Sequence, residues 1–348
     1  MASRRSTGHA RRGSLDLVEG LEDGKAAYVL VVHHCLMDGG AAQQLLAFVQ
    51  NRDPDVRLPW PDAGARPGAD PPRPLPGVFS GAVATAGLAR RSVSLATKAA
   101  RVRPRAALGY AASMARVLAP PPATPSPLMN RGRRVAWRFG TAECELADLK
   151  AAGKAAGGTI NDAYVAGILG GIRRYHLRAD APLGDIPMSM PVSMRIEGDQ
   201  SGGNRFAAAF FAGPTSVDDP VKRIQLLRKT VSRMQTEPAL DFFSVLLPVA
   251  NRVPQALTAG AFIAMQARAD LTVSNVPGVP WGIHMAGSRV ERMLCFGALP
   301  GSALTTVLCS YDGHCSIGIN CDGGSFAEPD LLFSDLQEGL DEVLALGS

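Results

Sequence analysis

The sharpest hydrophobic pattern in the chain is the apolar run at 26–32, which stops on two histidines, His33 and His34, and is followed by Asp38, Gly39 and Gly40. A short apolar run bounded by turn residues predicts a buried strand. The next stretch, 41–50, has the apolar spacing of a helix, so the segment reads as strand, tight turn and helix. Upstream, 15–21 alternates well enough to be a partner strand, with Asp23-Gly24 turning between the two. The hairpin so formed delivers His34 to a strand end. Adjacent residues of a strand point to opposite faces, so only one of His33 and His34 can face a given cavity.

Further along, the pattern predicts a strand over 134–138 and helices over 142–153 and 160–177. Thr159 caps the second helix, and Ile160, Tyr164, Ile168, Ile172 and Tyr175 form its core face. Asn161 and Asp162 fall in its first turn, at the positive end of the helix, where plain capping competes with a functional reading. Strands are expected over 186–194 and 206–212. A helix opened by Asp218-Asp219-Pro220 follows, and 239–269 is mostly helical. Then come strands over 271–274, 290–296, 304–310 and 315–320, with Asn275 in a turn, Asp312-Gly313 as a hairpin turn, and a closing amphipathic helix over 329–346. Strands and helices intermix without regular βαβ alternation, which predicts an α+β fold with mixed sheets. A chain of 348 residues can form two domains, here 1–130 and 131–348.

Charge changes this picture in one place. Residues 71–142 contain 12 Lys or Arg and no Asp or Glu, so a chain with a net charge of +5 is acidic everywhere else, summing to −7. One basic segment on an acidic protein argues against nucleic acid as a partner. The stretch 58–77 holds seven prolines and reads as a linker; 120–127 is a second one. Between them, 78–118 is rich in Ala and Arg. It is either a basic helical surface that settles on anionic lipid or an ordinary solvated helix pair. No apolar run is long enough to span a membrane, and the first residues lack the apolar core of a signal peptide. The cysteines show no CxxC, which fits a reduced, cytoplasmic protein, and Cys309, His314, Cys315 and Cys321 match no common zinc spacing.

The candidate chemistry sits at the histidines. Imidazole suits general base work near neutral pH; Asp38 can brace the turn, and glycines let the backbone turn sharply. The plain alternative is a strand end and turn by coincidence. The order His33-His34-x-x-x-Asp38-Gly39 resembles the motif of CoA-dependent acyltransferases and condensation domains. With Leu17-Val-Glu-Gly-Leu21 it is similar to the bacterial wax ester synthase/diacylglycerol acyltransferase family. Further stretches fall in the same order: Thr159-Ile-Asn-Asp162 with 170–175, Met190-Pro-Val-Ser-Met-Arg195, Gly203-Asn204, Ser274-Asn-Val-Pro-Gly278 and Ser310-Tyr-Asp-Gly313.

That resemblance implies a chloramphenicol-acetyltransferase-like two-lobe fold. It also implies transfer of a fatty acyl group from acyl-CoA to diacylglycerol or a long-chain alcohol, without a metal or other cofactor. His34 is then the general base and Asp38 a brace, with His33, Gly39, Asn161, Asp162 and Asn275 in support. The activated thioester needs no serine or cysteine nucleophile. In the family a larger part of the first lobe precedes this motif, whereas 32 residues do here, so the first lobe is expected to be incomplete. On the lipid-facing reading of the basic segment, peripheral contact with membrane or lipid droplets is added; on the other reading it is not. Rival readings are an acyl-CoA-binding remnant without turnover, and acyl transfer to another acceptor.

Overall fold

A computed structural model of the chain describes residues 13–34, 39, 42, 46, 50–53, 55, 113, 122–129, 136–193, 206–235, 260, 263–299 and 301–348. Asp38, the proline-rich stretch 58–77, the basic stretch 78–118 except residue 113, the Gly203-Asn204 turn and 239–259 lie outside the described residues, as does most of the predicted helix 41–50.

The amino-terminal strands form a hairpin. β1 (Gly13–Val18) pairs antiparallel with β2 (Ala27–Val32), Leu15 opposite Leu30 and Leu17 opposite Tyr28. The turn between them tightens into a single 3-10 turn at Glu22–Gly24, with Asp23 and Gly24 at positive φ. This register puts Leu15, Leu17, Tyr28 and Leu30 on one face, and all four are exposed.

The second sheet is six-stranded and mixed, with β3 (Trp137–Glu145) on one edge. Next to it runs β10 (His314–Asp322), then β9 (Leu304–Tyr311), β6 (Leu271–Val276), β4 (Ile186–Ser193) and β5 (Phe206–Gly213) on the far edge. The central β9/β6 and β6/β4 pairings are parallel and the outer ones antiparallel. β9 and β10 are buried almost end to end, so both of their faces are covered, and the polar residues they carry, such as Thr305, Thr306 and Asn320, are hydrogen-bonded inside.

Helices cover one face. α1 (Leu146–Ala155) and α2 (Ile160–Arg178) follow β3 directly, α3 (Pro220–Gln235) follows β5, and α4 (Pro329–Leu344) closes the chain. Leu304, Leu308, Ile317 and Ile319 point to the helices and share their core with Ile168, Ile172, Leu336 and Leu340. α2 and α4 pack closely because glycines face each other: a Cβ on Gly339 would lie 2.2 Å from the Gly171 backbone nitrogen. Arg223, 1% exposed, ties α3 to α4 through Glu342 at 2.8 Å and caps its own loop at the Asp218 carbonyl, 2.7 Å away.

Three predictions are corrected. Asn275, expected in a turn, is still in β6, because pairing with β9 carries the strand on to Val276. The helix expected over 142–153 starts only at Leu146, because β3 runs on to Glu145 in register with β10 and the ladder outweighs the helix preference of Ala and Glu. The strand expected over 290–296 does not form: 290–299 is irregular, and only short strands precede it, β7 (His284–Met285) and β8 (Ser288–Arg289). Its carbonyls serve side chains of the sheet beneath. Asn320 donates to the Gly297 carbonyl and Thr305 to that of Ala298, both at 2.9 Å. The pattern of alternation is real, but the segment lies on the sheet face rather than in the ladder.

Candidate active site

β2 stops at Val32, so His33 and His34 stand just past the last ladder pair, His34 in a turn, and both are exposed. The ring of His34 is therefore not sealed in packing. Five residues on, Gly39 is helical and half-buried. A Cβ there would come 2.8 Å from a methyl of Val276, the last residue of β6. The absent side chain lets the segment after the histidines approach the carboxyl end of a strand in the six-stranded sheet. Further links between the amino-terminal part and that body include a backbone pair between Asn51 and His284, at 2.9 and 2.6 Å, the Arg52 guanidinium 3.4 Å over the Trp281 ring, and a Lys25–Glu291 ion pair at 3.0 Å.

Beside Val276, Asn275 is exposed and lines a cleft of about 500 Å³. The opposite wall is the α1–α2 junction: Lys150, Lys154, Gly158, Thr159, Ile160 and Asn161. The sequence builds this wall locally. Lys150 and Lys154 are four apart on α1 and so share one face. Thr159 and Asp162 close a capping box: the Asp162 carboxylate accepts from the Thr159 backbone N–H at 2.8 Å and from its hydroxyl at 2.7 Å. That fixes the first turn of α2 and leaves Asn161 beside the cleft, its amide 3.5 Å from the Met190 sulfur. Asp162, 1% exposed, is thus spent on the cap, whereas Asn161 and Asn275 both line the cleft.

The loop after Asn275 is locked to β9. Gly278 donates its backbone N–H to the Ser310 hydroxyl at 3.0 Å, and a Cβ at 278 would fall on the Ser310 carbonyl. Asp312 and Gly313, both at positive φ, turn β9 into β10, and Asp312 N–H bonds the Val279 carbonyl at 2.9 Å. Two stretches far apart in sequence, 274–278 and 310–313, are one structural unit. Lys150 and Lys154 were not singled out by sequence reasoning. Their i,i+4 spacing just before a capped helix was the available signal.

A mixed sheet with helices on one face and a cationic cleft at its strand ends defines an acyltransferase and condensation-domain class of fold. The EpoB cyclization-docking bidomain of a peptide synthetase from Sorangium cellulosum shares it, with a TM-score of 0.54 at 15% identity over 99% of this chain and 64% of that one. So does the wax ester synthase/diacylglycerol acyltransferase from Marinobacter aquaeolei VT8, with a TM-score of 0.60 at 20% identity over 97% of this chain and 72% of that one. The chain belongs to the wax ester synthase/diacylglycerol acyltransferase family. The family's catalytic domain matches residues 14–164 and its C-terminal domain residues 202–343. A Mycobacterium tuberculosis (strain H37Rv) protein with the provisional name diacylglycerol O-acyltransferase is 36% identical over 95% of this chain and 68% of its own length.

Proposed function

We propose that the chain transfers a fatty acyl group from acyl-CoA to the hydroxyl of diacylglycerol or a long-chain alcohol, with His34 as general base. The imidazole takes the hydroxyl proton as the oxygen attacks the thioester carbonyl. The carbon–sulfur bond then breaks, and the imidazolium returns the proton to the CoA thiolate. The product pair is an ester and free CoA. The observation that carries this reading is the seat of Gly39 against Val276, next to Asn275. It seats the segment that follows the histidines against the end of β6, where the neighbouring Asn275 lines a cleft that also carries two lysines; His33 and His34 are not among the residues lining that cleft. Those cations suit the phosphates of CoA. Asn161 and Asn275 are amide donors that suit an oxyanion. To Asp38 the motif assigns the bracing of the turn after the histidines.

The test is turnover of palmitoyl-CoA with dioleoylglycerol or hexadecanol, read as ester formed. His34→Ala should lower kcat by about 10²–10⁴-fold, the usual contribution of a positioned base, while His33→Ala has a smaller effect. Undiminished turnover in His34→Ala removes the base assignment. A second reading, acyl-CoA binding without turnover, is favoured by the uncovered apolar faces of the β1–β2 hairpin, where Leu15 and Val31 are 61% and 55% exposed. Saturable palmitoyl-CoA binding with no ester in any acceptor panel would select it. We also propose peripheral contact with anionic lipid through the basic segment. No helix among the described residues is long and apolar enough to cross a membrane.

A further inference from the structure

Cysteines occur on both faces of the six-stranded sheet, and the acyl-transfer chemistry uses none of them. Cys144 on β3 and Cys315 on β10 are direct cross-strand partners. β3 is an edge strand, Cys144 is half-buried and Cys315 is buried. The Leu146 N–H bonds the Gly313 carbonyl at 2.9 Å, so the 146/313 pair is of the hydrogen-bonded kind. Two residues back, Cys144 and Cys315 are of the same kind, with Cα atoms about 5.5 Å apart. That lies inside the range a disulfide spans, about 4.4–6.8 Å. The hydrogen-bonding influence of the neighbouring Cys144 thiol holds Cys315 below the ordinary thiol range despite burial.

We infer that Cys144 and Cys315 are a reversible dithiol/disulfide pair, oxidised by peroxide, whose closure pins the root of α1 to β10 and so alters the Lys150/Lys154 cleft. One sulfur, as thiolate, attacks a peroxide oxygen, giving a sulfenic acid and hydroxide. The partner thiol displaces that oxygen, the S–S bond forms and water leaves. Overall two thiols and hydrogen peroxide give a disulfide and two waters. Cβ atoms across a sheet sit about 4.5–5.5 Å apart, and a disulfide wants about 3.5–4.5 Å. Closure therefore draws β3 inward, which its free edge permits, and the resulting strain makes the bond easy to reduce. α1 begins two residues after Cys144, and Lys150 follows one turn later.

The experiment treats reduced, desalted full-length protein with hydrogen peroxide, alkylates free thiols and maps crosslinks by mass spectrometry without reduction. A Cys144–Cys315 peptide pair that dithiothreitol removes is expected. Its absence from oxidised wild type overturns the pair. After peroxide is removed, ester formation from palmitoyl-CoA is followed by thin-layer chromatography. The apparent KM for palmitoyl-CoA should rise at least threefold on oxidation of wild type, recover with dithiothreitol, and stay level in Cys144→Ser. An unchanged KM in protein shown to be crosslinked overturns the link to the cleft. This second arm rests on the acyl-transfer reading. Reduced protein that forms no ester refutes that reading, while the crosslink map still decides the pair and a palmitoyl-CoA binding titration, oxidised against reduced, decides the link.

Discussion

Lys150 and Lys154 carry the positive charge of the cleft, and no ion pair holds either one among the described residues. Both side chains are exposed, so they can meet a phosphate while staying largely hydrated, and the attraction is screened by salt. Each should contribute about 1 kcal/mol of binding, so Lys150→Ala and Lys154→Ala should each raise the KM for palmitoyl-CoA about fivefold. kcat should stay near wild type, because the phosphates lie away from the reacting carbonyl and their contacts are uniform in ground and transition state. The difference should shrink as salt rises from 50 to about 500 mM, where the Debye length falls to a few ångströms. Initial rates over a palmitoyl-CoA series check this, and an unchanged KM in both variants would take the phosphates out of the cleft. Two neighbours of these lysines show what the residue pattern could and could not say. Asn161 and Asp162 were legible as polar residues in the first turn of a helix. Only the turn's geometry decides that Asp162 reaches back to Thr159 and is buried, while Asn161 is turned to the cleft.

α2 is the element the second sheet is built around, and one of its side chains sets how the fold responds to acid. His176, fully buried, donates Nδ1–H to the Ile172 carbonyl at 2.8 Å. Its Nε2 accepts the Ser126 hydroxyl proton at 2.6 Å, and the Ser126 oxygen in turn accepts the N–H groups of Leu128 and Met129, both at 3.1 Å. The set fastens the segment before β3 onto the last turn of α2. Burial pulls the pKa of His176 below its ordinary value of 6.5. Below that pH the unfolded chain takes up a proton that the folded chain refuses, so stability falls with pH, by at most about 1.4 kcal/mol per unit for this one site. The midpoint of urea unfolding should therefore drop between pH 7.5 and 5.5, and drop less in His176→Gln. Equal acid sensitivity in the two proteins would assign the loss to other groups. The helix itself was legible to within a residue because its cap and its 3.6-residue apolar period agree. Residues 142–145 were not, since Ala and Glu favour a helix locally and only the pairing with β10, far away in sequence, makes them a strand. The 290–296 stretch failed for a related reason: alternation reports a segment lying on an apolar surface, and a sheet face supplies one as well as a neighbouring strand does.

Across the whole molecule, charge and apolar surface are unevenly placed. All 12 cations of 71–142 stand without an acid among them, while the rest of the chain is acidic. Exposed aromatics cluster where β3 leaves that stretch: Trp137 and Phe139 are 49% and 53% exposed, and the Phe139 ring meets Phe296 edge-on at 5.2 Å. Acceptors such as diacylglycerol and long-chain alcohols reside in lipid, not in water, so an enzyme that uses them gains by working at a lipid surface. Basic residues near anionic lipid contribute about 1 kcal/mol each, and aromatic side chains settle at the headgroup level. Reversing Arg90, Arg91, Arg101 and Arg103 to Glu should therefore weaken binding to phosphatidylserine-containing vesicles by more than about tenfold in flotation assays. Binding to neutral vesicles should change little, because the aromatic contribution is left in place. If the reversed protein still floats with anionic vesicles as wild type does, the basic segment is a solvated connection and the acceptor reaches the cleft by another face.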